Sequence, residues 1–94
     1  MEEKAILSEA MEIGAKVIGN VVVEAAKICN QITEKGGEDS KELVNLVLGR
    51  CEVLKAEILA ISCSDVGLEQ KADMMETEKN AAYDYFNSIL AQIC

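Results

Sequence analysis

The sequence predicts an all-α fold, an elongated three-helix bundle with short loops. Three observations predict it. The 94 residues include no Pro, the residue that most disrupts a helix interior. Apolar residues recur at three- and four-residue steps along three long segments. Glycine and small polar residues fall between those segments, where helices stop and start.

The first segment runs from about residue 3 to residue 35. Leu7, Met11, Gly14, Ile18, Val21, Ala25, Ile28 and Ile32 repeat with spacing 4-3-4-3-4-3-4. This is one helical stripe, and Ala10, Val17, Val22 and Cys29 widen it. Glu9, Glu12, Lys16, Lys27, Asn30 and Glu34 take the wetter side, with Glu12 and Lys16 a favourable i,i+4 pair. Gly14 and Gly19-Asn20 weaken the helix, each Gly by roughly 1 kcal/mol against Ala. A break near Gly19, giving four shorter helices, is therefore the alternative. The unbroken stripe favours one helix, and Gly14 on the seam would let a neighbouring backbone approach. Gly36-Gly37 ends the segment, because Gly reaches the left-handed cap conformation without Cβ strain.

Asp39 and Glu42 then resemble a capping box. A second helix is expected over about residues 40–62, with a stripe of Val44, Val47, Cys51, Leu54, Ile58 and Ile61. Leu43, Leu46, Leu48, Val53 and Leu59 lie off that line. A helix apolar around so much of its circumference is expected to be central. Ser62, Ser64 and Asp65 are N-cap candidates for a third helix over about residues 65–93. Its stripe is Leu68, Ala72, Met75, Lys79, Ala82, Phe86, Ile89 and Ile93. Only Lys79 interrupts it, read equally as a side chain whose head reaches Glu76 one turn earlier and as a solvated flank residue.

At about 1.5 Å per residue the three helices span roughly 50, 35 and 43 Å. An up-down-up arrangement leaves one end of helix 1 overhanging helix 2 by about 15 Å. Exposed apolar surface of that kind marks an interaction site, which a second copy can cover. A single helical domain, 1–94, is expected, and a homodimer is the expected oligomer.

Composition narrows the function. There is no His, which removes Ser-His and Cys-His pairs, His bases and His metal ligands. No Gly-rich phosphate loop is present, since Gly36-Gly37 lacks the lysine spacing of a P-loop. The four cysteines, Cys29, Cys51, Cys63 and Cys94, follow no zinc or redox spacing. Cys51 falls on the seam and reads as a small hydrophobe. No catalytic residue, cofactor or metal is expected. The net charge of −8 argues against direct nucleic-acid binding, which needs clustered Lys and Arg. The start Met1-Glu2-Glu3-Lys4 is unlike a secretory signal. The most apolar stretch, Ile13 to Cys29, is interrupted by Lys16, Glu24 and Lys27 and is too charged for a membrane span. A cytoplasmic, soluble protein is expected.

Two surface features carry the functional expectation. Residues 64–94 have six acids against two bases, so half of the net charge of −8 lies on the last third. Glu69, Asp73, Glu76, Asn80, Asp84 and Asn87 fall within an arc of about 80° on helix 3. This acidic ridge is read either as a solvated face or as a surface for a basic protein partner. On the opposite flank, Met74, Ala81 and Tyr85 form a second patch around Glu78. Methionine and tyrosine are enriched in interface cores, although the same cluster can plug one end of the bundle. The expected function is non-enzymatic: a small acidic inhibitor or adaptor that binds a basic, nucleic-acid-handling protein. Small anti-defence proteins of phages share this character, an analogy of type rather than a sequence match. The alternative is a self-assembling structural or chaperone-like subunit.

Overall fold

The computed structural model describes residues 2–35 and 37–93, with side chains described from residue 7 onward. Among these residues are three α-helices, α1 (Glu2–Lys35), α2 (Ser40–Ser62) and α3 (Leu68–Ile93), one 3-10 turn (Gly37–Asp39) and no strand. The fold is all-α, a three-helix bundle with short loops. It is elongated, with principal extents of 53 × 15 × 15 Å.

α1 runs unbroken through Gly19 and Asn20, so the four-helix alternative is not adopted. Both residues are exposed, whereas Val17 and Val21 are buried on the opposite face. Burial of that face outweighs the local weakness of Gly and Asn, since most helical stability in proteins comes from packing. Gly37 takes φ of +60°, the left-handed conformation expected at the end of the helix. Gly36 lies outside the described residues.

Two expected caps are absent. Asp39 precedes α2 but makes no side-chain cap bond, and its φ of −85° and ψ of −3° are helical. The 3-10 turn feeds straight into α2, so Asp39 lacks the extended backbone that a side-chain cap requires. The expected start of helix 3 near residue 65 moves to Leu68. Ser62 and Ser64 close α2 instead of opening α3. Ser62 Oγ donates to the Ile58 carbonyl at 2.9 Å, and Ser64 Oγ donates to the Ile61 carbonyl at 2.6 Å.

The core shows why the predicted seam fails at one end. The buried α1 positions are Ala10, Gly14, Val17, Val21, Ala25, Ile28 and Ile32. Leu7 and Met11, expected on the seam, are exposed, and Ile18 is half-buried. The buried set repeats at 11 residues: Ala10, Val21 and Ile32; Gly14 and Ala25; Val17 and Ile28. In α2, Leu43 pairs with Leu54 in this way, and Val47 with Ile58; in α3, Lys71 pairs with Ala82, and Met75 with Phe86. An 11-residue spacing gives about 3.67 residues per turn, whereas the 4-3 pattern read from the sequence gives 3.5. A seven-residue stripe drifts by about 20° per heptad on a straight helix. Counted back from Ile32, that drift carries Met11 out of the core.

Gly14 marks the level where all three helices meet. A Cβ there would lie 2.6 Å from Ile58 Cγ2, 3.6 Å from Met75 Cε and 3.7 Å from Ser62 Oγ. The close approach expected of Gly14 is thus present. It also places the end of α2 beside Gly14, so α2 leaves the N-terminal end of α1 uncovered. α3 covers part of that overhang, because Leu7 and Lys71 line one cleft with the residues of the α2–α3 corner. At the other end of the bundle Lys35, Leu43 and Ile93 lie together.

Candidate interaction surfaces

α3 is the element that sorts the sequence-predicted residues, because its two flanks face different ways. Glu69, Asp73, Glu76 and Asp84 are all exposed, as are Asn80 and Asn87. The ridge therefore stands in solvent on the outer side of α3. Lys79 is half-buried beside it and binds Glu76 at 2.8 Å, the first of the two readings its position allowed. That bond holds the Lys79 amine above its ordinary value, with the Glu76 charge acting in the same direction. Glu69, Asp73 and Asp84 have no ion pair among the described residues.

Met74 and Tyr85 lie on the other flank, in the groove between α3 and α2. They do not plug the end of the core. The three aromatics divide their roles: Phe86 is fully buried, Tyr83 is half-buried, and Tyr85 is 36 % exposed. Tyr85 meets Phe86 edge-on with ring centroids 6.5 Å apart. From α2, Leu46 and Val53, each 44 % exposed, extend the apolar surface of this flank. Sequence reasoning placed these two merely off the seam and missed the charged residues beside them.

Arg50 and Glu57 are the residues it missed. The Arg50 guanidinium sits 5.9 Å from the centre of the Tyr85 ring, within reach of a cation–π contact. Its Nε is buried without a hydrogen-bond partner, and so is Glu57 Oε2. Glu57 and Glu78 line one groove of about 330 Å³ with Ala60, Ile61, Met74 and Thr77. The Glu78 carboxyl is pushed above the ordinary carboxylate range by its hydrogen bond with Glu57, by desolvation and by the Glu57 charge, while Arg50 opposes the rise. The available signal was the i,i+7 placement of Arg50 and Glu57, amid apolar residues that no seam required.

A second groove runs between α1 and α2, lined by Val22, Ala26, Leu48, Cys51, Glu52 and Lys55. Its charges are already matched, with Lys55 Nζ on Glu52 Oε1 at 3.1 Å. Cys51 is buried and Cys29 half-buried beside the core. Burial raises both thiols, and their proximity raises Cys51 further. They are held as thiols, the less nucleophilic form. Cys94 lies outside the described residues.

At the α2–α3 corner Lys71 is only 4 % exposed. Its Nζ donates to the Ser62 carbonyl at 2.8 Å. A cation at the C-terminus of a helix complements the unsatisfied carbonyls and the helix dipole. This lysine tethers the first turn of α3 to the last turn of α2.

Among the described residues no three or more His, Cys, Asp or Glu side chains gather as a metal site, and no described helix is long and apolar enough to cross a membrane. Comparison with family models, with curated proteins and with solved structures gives no match.

Proposed function

We propose that this chain is a non-enzymatic interaction protein, an acidic adaptor or inhibitor that docks a basic protein on the outer face of α3. The observation that carries this reading is the state of the ridge. Glu69, Asp73 and Asp84 are exposed and unpaired among the described residues, in line with Glu76. Uncompensated charge along one helix face speeds association with a surface of opposite sign and fixes its orientation. A basic surface built to hold nucleic acid has that sign. A cytoplasmic location belongs to the same reading.

The test is charge reversal at Glu69, Asp73 and Glu76 together. The tagged chain captures a basic protein from the cells that make it, and added salt releases that protein. The triple variant is expected to lose the capture while keeping its helical circular dichroism. Equal capture by the triple variant would refute the ridge as the docking face.

A further inference from the structure

The groove between α2 and α3 holds a pattern that is its own complement. Arg50 and Glu57 lie seven residues apart on one flank of α2, a separation of about 10.5 Å along the axis. Val53 stands near the midpoint and points outward. Arg50 Nε and Glu57 Oε2 are both buried and unmatched within the chain. α3 repeats the arrangement at the same levels: Tyr85 lies beside Arg50, and Glu78 beside Glu57.

A twofold axis perpendicular to α2, passing beside Val53, superposes this face on its own complement. It sets Arg50 of each copy opposite Glu57 of the other and brings the two Val53 side chains together. It also sets the Tyr85 hydroxyl, a donor, opposite the second copy's Glu78 carboxyl, an acceptor. An isologous interface requires this, since residue i must meet j while j meets i. Arginine and tyrosine are also residue types that concentrate binding energy at interfaces.

We propose that the α2/α3 face is a twofold self-association surface, in which Arg50 of each copy pairs with Glu57 of the other across Val53. The occupant is a second copy of this chain, because one cation, one carboxylate and a central apolar residue match the same set turned through half a circle. The α1/α2 groove lacks this property, since Lys55 and Glu52 satisfy each other within one chain. The inference goes beyond the ridge reading and stands independently of it. The ridge lies on the opposite flank of α3 and stays open, in two copies, when the groove is closed.

Sedimentation of the full chain, with reductant present to exclude cysteine cross-links, tests the proposal. The wild type is expected to form a dimer in the micromolar range. R50E places Glu against Glu57 of the second copy, and E57R places Arg against Arg50. Each alone is expected to weaken the dimer by about 100-fold, since like charges brought together at an interface cost several kcal/mol. Mixing the R50E chain with the E57R chain restores both pairs and is expected to give a one-to-one heterodimer. That rescue also shows that both variants fold. V53E is expected to abolish association, and L48E, in the other groove, to leave it intact. A wild type that stays monomeric, a mixture that forms no heterodimer, or a dimer broken by L48E but not by V53E would each overturn the proposal.

Discussion

Lys71 and Arg50 are both cations set between α2 and α3, yet their surroundings differ. Lys71 lies at the closed corner of the bundle, almost wholly buried, with the Ser62 carbonyl on its amine. Arg50 lies about midway along α2, half-buried, with Nε unmatched and an exposed tyrosine alongside. A buried polar group normally finds its partner within the chain. The corner obeys that rule and belongs to the fold. The groove departs from it, with two polar atoms enclosed and unpartnered beside an exposed apolar surface.

Substitutions at the closed corner should cost most. Lys71→Ala removes a charge-assisted bond and leaves a helix-terminal carbonyl unmatched, an expected loss of about 2–3 kcal/mol. The urea midpoint should fall with little change in slope. Gly14→Ala should follow, at about 1–2 kcal/mol. The gain in helix propensity is outweighed by overpacking, because the new methyl meets Ile58 Cγ2 at 2.6 Å. Gly19→Ala is the matched control: nothing lies within 4 Å of its Cβ position, so the variant should gain up to about 1 kcal/mol. If both glycine variants shift stability in the same direction, the contrast between seam and surface fails.

The smallest effect is expected in the open groove. The folded state holds the Glu78 proton more tightly than the unfolded chain does, since the Glu78 carboxyl is raised above 4.5. That contribution is fully present at pH below the unfolded value and is lost as pH rises through the raised value. Glu78→Gln should therefore gain on the wild type, by a few tenths of a kcal/mol, as pH rises through that window and up to neutrality. Denaturation midpoints measured at acid and neutral pH check the sign. An advantage confined to acid pH would contradict the raised Glu78 carboxyl.

The bundle was legible in the sequence because apolar spacing and glycine punctuation act locally. The bounds of α2 and the end of α1 at Lys35 follow from those signals, as does the tight approach at Gly14. The seam was readable to one turn or so, because the period follows from how three helices pack and not from any one of them. Leu7 and Met11 show the cost of extending a seven-residue pattern too far. The serines at residues 62 and 64 were legible as caps but not as caps for α2, since side-chain hydroxyls serve either helix end. The acidic ridge could be read from one helix alone. The groove could not, because Arg50, Glu57 and Glu78 become neighbours only once α2 and α3 lie side by side.

The bond from Lys71 to Ser62 also bears on the order of assembly. It spans nine residues, so it closes a short loop at little entropic cost. The approach of Gly14 to Met75 joins positions about sixty residues apart and costs about 2 kcal/mol more in loop closure. The α2–α3 corner is thus the cheaper of these two contacts to close. A lesion at Lys71 should then slow folding, whereas one at Gly14 should mainly hasten unfolding.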